Sequence, residues 1–209
     1  MSGRKLKKHR TKFHTGSLLY LACGTRPDIA YSSTYMSQFK ERPSENHWPS
    51  VKHLFKYLKH TKHLCLTYRK TRKKIEVFSD ADRAADCIGR KSFSDYVVIL
   101  GGAAVSWSSK KQHCTALSSA EAEYLAMTHA TKEVLWIKSL LFELGKEMFV
   151  PPPILINVDN QAAMFIAKNQ TTSDWSNHIH LMDNFICDNV VQKIFEFQYI
   201  NSRDNVADH

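Results

Sequence analysis

The stretch that decides the fold is Ile75-Glu76-Val77-Phe78-Ser79-Asp80, with Tyr96-Val97-Val98-Ile99-Leu100, Gly101-Gly102 and Ala103-Ala104-Val105-Ser106-Trp107 after it. The three apolar or β-branched runs read as strands. The glycine pair between the last two is a hairpin signal, because both positions of a tight hairpin turn can need positive φ. Residues 75–107 therefore predict a three-strand meander whose first strand ends at Asp80.

Downstream, the period changes. Ala122, Leu125, Ala126, Ala130, Val134, Ile137, Leu141 and Leu144 recur at helical spacing, which predicts a long helix over 119–144. Ser118 with Glu121 forms a capping-box pattern at its start, and Gly145 supplies the stop. Ile154 to Val158 reads as a short buried strand that ends at Asp159. Helices are expected over 160–168 and 177–191, and a last strand over 194–200. The order βββαβααβ is that of an α/β domain with a mixed sheet.

Upstream, residues 17–68 look mainly helical. Thr25-Arg26-Pro27-Asp28 marks a turn and a helix start. A helix over 45–60 carries Trp48, Val51, Leu54, Phe55 and Leu58 on one face, with Lys52, Lys56 and Lys59 on the other. His53, His60 and His63 share a face there but have no carboxylate or thiol at ligand spacing, so a polar face near nucleic acid is the better reading than a metal site. Residues 1–16 read as a basic, disordered tail. The chain carries a net charge of +9, and six of its cations (Arg4, Lys5, Lys7, Lys8, Arg10 and Lys12) lie in the first twelve positions, with no acid before Asp28. The rest is therefore only mildly basic, compatible with a phosphate-rich partner without demanding one. Cys23, Cys65, Cys87, Cys114 and Cys187 form no Cys-x-x-Cys pair, which fits a reducing compartment. No apolar run approaches the length of a membrane span, and the basic N-terminus lacks the apolar stretch of a secretory signal.

The chemistry lies in the carboxylates. Two predicted strands end in aspartate, Asp80 and Asp159, and ligand sites of open α/β sheets gather at strand ends. Glu123 falls in the first turns of the long helix, beside its apolar stripe, and Asp208 follows the last strand. Clustered carboxylates repel one another and resist desolvation. Hard divalent cations such as magnesium or manganese relieve that, and two of them about 4 Å apart support phosphodiester hydrolysis. Each residue also has a plainer reading. Asp159 before Asn160-Gln161 can be a helix cap, and Asp80, Asp82 and Asp86 can be loop acids.

The wording around these residues is more specific. The strings GSLLYLACGTRPDIAY (16–31), HWPSVKHLFKYLKHT (47–61), SDADRAAD (79–86), WSSKKQ (107–112), SSAEAEYLA (118–126), VDNQAA (158–163), HIH (178–180) and NVAD (205–208) resemble, in order and spacing, the C-terminal part of the Pol polyprotein of copia-type long-terminal-repeat retrotransposons. The resemblance implies a ribonuclease H-like mixed five-stranded sheet with flanking helices over 73–209. A small helical segment, 17–72, would join it to the polymerase. It implies that Asp80 bridges two magnesium or manganese ions, that Glu123 and Asp159 complete one site, and that Asp208 completes the other. The implied reaction is cleavage of the RNA strand of an RNA–DNA hybrid, leaving a 3′ hydroxyl, in a virus-like particle in the cytoplasm or in the nucleus. Lys110, Lys111 and Gln112 fall just after the third strand, where contact with the substrate backbone competes with a solvated loop.

Several positions depart from the pattern. Arg83 replaces a usual tryptophan and Asp95 a usual glycine. Asn177, His180 and Asn184 stand where lysine, aspartate and histidine are usual. The final helix expected after Asp208 would lie past His209. No polymerase Tyr-x-Asp-Asp, zinc knuckle or protease Asp-Ser/Thr-Gly signature is present, so reverse transcription by this chain alone is not expected. Two other readings compete with an active hybrid nuclease. One is a catalytically impaired remnant that binds nucleic acid or a polymerase partner. The other is an integrase-type domain, which ranks low because Glu123 comes second among the acids, whereas integrases place their catalytic glutamate last.

Overall fold

The structure, a computed structural model, describes residues 14–44, 46–82, 90–169 and 185–208. The chain forms two compact units, Met1–Thr67 and Tyr68–His209.

The first unit is helical: α1 (14–24), a 3-10 turn at Pro27–Ile29, α2 (Ala30–Ser37) and α3 (His47–His60). Pro27 opens the 3-10 turn, where its missing N–H costs no hydrogen bond. Leu18, Ala22, Ile29, Met36 and Val51 form a small core, with Trp48, Leu54, Phe55 and Leu58 packed on it. The expected tail boundary at residue 16 moves, since helix α1 already includes His14. Its ring sits 5.6 Å from Trp48 and 5.3 Å from Phe55, so aromatic packing draws residues 14–16 into the fold. The remainder of the expected tail, 1–13, lies outside the described residues.

The second unit is an α/β domain with a mixed five-stranded sheet and flanking helices. Its sheet contains β1 (Glu76–Asp82), β2 (Phe93–Leu100), β3 (Ala103–Lys111), β4 (Ile154–Val158) and β5 (Phe195–Tyr199), in the order β3-β2-β1-β4-β5. β1, β2 and β3 form the antiparallel meander, while β4 runs parallel to β1 and β5 parallel to β4. Gly101 and Gly102 adopt φ of 68° and 85°, the left-handed conformation that the hairpin requires. A side chain at Gly101 would also press on the Arg69 carbonyl oxygen.

Helix α4 (Ser119–Glu143) packs on the sheet. It buries Tyr124, Met127, Ala130, Val134 and Ile137 in a cluster with Val77, Val98, Ile156 and Val158. Full burial of one such large side chain stabilises by roughly 1.5–3 kcal/mol before entropy is counted. Ser118 caps the helix by accepting from Glu121 N, and the Glu121 carboxylate accepts in return from Leu117 N. Gly145 ends it at positive φ. Helices α5 (Gln161–Asn169) and α6 (185–191) follow β4. Residues 177–184 of the helix expected over 177–191 lie outside the described residues.

Two strands run further than their apolar runs. β1 continues through Asp80 to Asp82, so Asp80 sits inside a strand and not after it. β3 continues from Trp107 to Lys111, so Lys110 and Lys111 belong to an edge strand and not to a loop. Pairing of β1 and β3 with β2 supplies the ladder that the side chains alone do not announce. Among the described residues, no helix is long and apolar enough to cross a membrane.

Candidate metal centre

The parallel pairing of β1 with β4 brings two aspartates to one end of the sheet. Val77 pairs with Ile156, and Asp80 and Asp159 each lie three residues further on. Glu123 arrives from the second turn of α4. One carboxylate oxygen from each of Asp80, Glu123 and Asp159 lies within 4.8 Å of the other two. Asp80 and Glu123 are each 7% exposed, and Asp159 is half-buried.

The surrounding polar groups hold the three in place. Gln112 donates from Nε2 to Ser94 Oγ at 2.8 Å and to the Ala122 carbonyl oxygen at 2.9 Å, tying β2 to the turn of α4 that carries Glu123. Asn160, not Asp159, caps α5 by accepting from Ala163 N at 3.0 Å, which leaves the Asp159 carboxylate to the cluster. Asp159 Oδ2 accepts from the Ser202 hydroxyl, in the 3-10 turn Ser202–Asp204 after β5. The same loop is pinned by buried Asn205, whose Nδ2 donates to the Ser79 carbonyl oxygen at 3.1 Å, next to Asp80.

Glu123 is the electrostatic focus. Burial pushes its carboxyl up to about 9, and the charges of Asp80, Asp159 and Asp95 push the same way; a backbone hydrogen bond from Ala81 opposes them. Its Oε2 is buried with no hydrogen-bond partner. Among the described residues, no lysine or arginine forms an ion pair with Glu123 or Asp159. A buried carboxylate oxygen without a donor is costly unless it is protonated or meets a cation. An all-oxygen donor set suits a hard divalent ion such as magnesium or manganese.

The other expected site residues fall differently. Asp208 is exposed, its N–H donates to the Asn205 carbonyl oxygen at 3.1 Å, and it stands outside the group of three. Gln112, expected near the substrate backbone, is 3% exposed and directs its amide donors to Ser94 and the Ala122 carbonyl inside the domain. Lys110 is exposed and Lys111 half-buried at the end of β3. Arg83, Asp86, Asn177, His180 and Asn184 lie outside the described residues. Sequence reasoning missed Ser94, Ser202 and the packing role of Asn205. The first two carry no local signal, and Asn205 is visible only as the start of the NVAD string.

No family model matches the chain. It is 36% identical over 193 residues to a retrovirus-related Pol polyprotein from transposon TNT 1-94 of Nicotiana tabacum, covering 92% of this chain and 14% of that protein. It is 37% identical over 194 residues to the corresponding polyprotein from transposon RE1 of Arabidopsis thaliana, covering 92% of this chain and 13% of that one. The chain thus spans about one-seventh of these relatives. Among solved structures, LC11-RNase H1, isolated from compost by a metagenomic approach, is similar with a TM-score of 0.47 and 14% identity, over 65% of this chain and 90% of that one.

Proposed function

We propose a function for a chain that belongs to the copia-type retrotransposon Pol polyprotein family: its second unit is a divalent-metal-dependent endonuclease that cuts the RNA strand of RNA–DNA hybrids. The observation that carries this reading is the buried, unpartnered Glu123 Oε2 within 4.8 Å of carboxylate oxygens of Asp80 and Asp159. Such a set fits a magnesium or manganese ion, and Asp80, Glu123 and Asp159 would hold it. Asp208, as the family resemblance implies, would contribute to a second ion. When bound, the ions supply an activated water and stabilise the leaving oxygen of a phosphodiester.

The chain's own groups do the rest. Glu123 holds a proton while no cation is present and gives it up as one binds. Ser202 and Asn205 keep the loop after β5 against Asp159 and β1. Gln112 keeps the start of α4 in register with β2. In the hydrolysis, a water oxygen bonds to phosphorus, the bond from phosphorus to the 3′ oxygen breaks, and that oxygen takes a proton. The products are a 3′ hydroxyl and a 5′ phosphate. Lys110, exposed on the edge strand, contributes positive charge towards a phosphate backbone. The helical first unit joins the nuclease to the polymerase part of the parent polyprotein.

The test uses an RNA–DNA hybrid labelled separately on each strand. Wild type with magnesium or manganese cuts the RNA strand alone, while chelation or Asp80→Asn abolishes the cut. No cleavage with either ion overturns the nuclease reading and leaves a domain that at most binds nucleic acid.

A further inference from the structure

The positive charge of the second unit is concentrated in one short segment. Residues 76–209 hold 11 Lys and Arg against 17 Asp and Glu, a net charge of −6. The six residues before Ile75 run Arg69-Lys70-Thr71-Arg72-Lys73-Lys74, five cations with no acid among them. All five cations are exposed, and Thr71 alone is half-buried. Among the described residues, none of the five forms an ion pair with a carboxylate.

The fold holds this run at both ends. The Tyr68 hydroxyl donates to the Ala104 carbonyl oxygen at 2.7 Å, and the Arg69 N–H donates to the Gly101 carbonyl oxygen, in the β2–β3 turn, at 2.8 Å. A Cβ at Gly101 would come within 3.2 Å of the Arg69 carbonyl oxygen, so the segment lies closely on the turn. At the other end the Ile75 N–H donates to the Phe149 carbonyl oxygen at 2.9 Å, and Ile75 is buried in the core cluster. Runs of like charge repel one another and are ordinarily loose tails. Here the run is a strap pinned to the domain surface. It lies at the end of the sheet where β1 starts, since Glu76 pairs with Ile99 beside the turn, and Asp80 lies further along β1. Six steps of extended chain from Lys74 to Asp80 span about 20 Å. The strap is therefore separate from the metal centre.

We infer that the strap Arg69–Lys74 is a second nucleic-acid contact, where phosphates of a nucleic-acid backbone supply the counter-charge that the domain withholds. Charge complementarity selects the ligand. Several exposed cations in a row, with no acid and no aromatic among them, match a repeating anion and offer no surface on which a base could stack. The contact is thus independent of sequence. It retains a polyanion beside a body whose own net charge of −6 repels it. The inference goes beyond the nuclease reading and does not rest on it.

Fluorescence anisotropy of a labelled RNA–DNA hybrid of about 20 base pairs, two turns of duplex, with the full chain in chelator and over a salt series tests this. Lys70→Gln/Arg72→Gln/Lys74→Gln leaves the pinning hydrogen bonds untouched. It is expected to weaken binding about tenfold or more and to reduce the slope of log affinity against log salt by about two to three. Its thermal midpoint should stay at or above that of wild type, because repulsion is relieved. Arg72→Gln alone should reduce the slope by about one, which keeps a readout should the triple variant be less stable. Lys52→Gln/Lys56→Gln/Lys59→Gln removes the same charge from α3 and should cost less. Wild-type affinity and slope in both strap variants, or an equal or greater loss in the α3 variant, overturn the inference. So does polyglutamate that displaces the hybrid as readily as unlabelled hybrid of equal charge, which would mark an acidic protein as the partner. Nothing is cut in chelator, so these outcomes leave the nuclease reading to the cleavage assay. Strap-dependent binding by a chain that cuts nothing supports the inference and overturns that reading alone.

Discussion

Two carboxylate environments in this chain stand in direct contrast. In the first unit, Asp28 takes hydrogen bonds from Arg26 Nε at 2.8 Å, Arg26 Nη2 at 2.6 Å and the Tyr57 hydroxyl at 2.9 Å. Arg26 also donates to Thr61 Oγ1 at 2.7 Å, which ties the turn at Pro27 to the end of α3. In the second unit, Glu123 keeps a buried oxygen with no donor and faces further carboxylates. The Arg26 guanidinium holds the Asp28 carboxyl below its ordinary value, whereas burial holds that of Glu123 far above. One carboxylate has been given its counter-charge by the fold. The other is built to receive it from outside, which is how a structural acid and a ligand-seeking acid differ.

The largest expected effects fall on the unsatisfied side. Asp80→Asn should lower hybrid cleavage by about 100-fold or more, since even residues that only orient metal ligands typically cost 10–100-fold. Asp28→Asn should leave the cleavage rate near wild type. Equal losses in a steady-state assay would erase the distinction. Next in size is the scaffold beneath the cluster. Met127 is fully buried in the α4–sheet core, and Met127→Ala should cost about 2–5 kcal/mol in denaturant unfolding. A cost below 1 kcal/mol would mean that α4 is not fixed by this packing.

The pH dependence should run in opposite directions in the two regions. Glu123 has a folded-state value raised above its unfolded one, so without metal its contribution to stability is fully present below about pH 4.5. That contribution is lost as pH rises towards about 9. Thermal unfolding in chelator should show it, and Glu123→Gln should flatten the trend. Manganese affinity should rise over the same range, because binding displaces the proton. Asp28 has a depressed value, so its contribution is present above the ordinary aspartate range and is lost in acid. It is the smallest effect. The pair is partly solvated, and Asp28→Asn should cost about 1 kcal/mol or less, diminishing with salt. A pH trend of the same sign in both variants would contradict the contrast.

The elements that carry the acidic cluster were legible in the sequence because their signals are local, whereas the pairing of Asp28 with Arg26 and Tyr57 was not read there. The apolar runs before Asp80 and Asp159, the capping pattern Ser118–Glu121 and the glycines at 101, 102 and 145 all act within a few residues, although β1 itself runs on to Asp82. What escaped is set by partners distant in the chain. Phe93-Ser94-Asp95 and Ser108 to Lys111 have weak strand propensity and become strand through their pairing with β1 and with each other. The meeting of Asp95 with Asp80 is a fact of register. So is the burial of Gln112, which spacing had placed in a loop. The exposed position of Asp208 depends on how the short turn at Ser202–Asp204 folds back on Asp159, and no local pattern encodes that.

The most direct test of the central claim is the manganese-dependent shift of the thermal midpoint. At a free ion concentration about 100 times the dissociation constant, binding to the folded state alone stabilises by about 2.7 kcal/mol. For a unit of this size that is a rise of several degrees. The account predicts this rise in wild type and in Asp28→Asn, and none in Asp80→Asn. An equal rise in all three proteins, or no rise in wild type, would contradict the assignment of Asp80, Glu123 and Asp159 as a cation site.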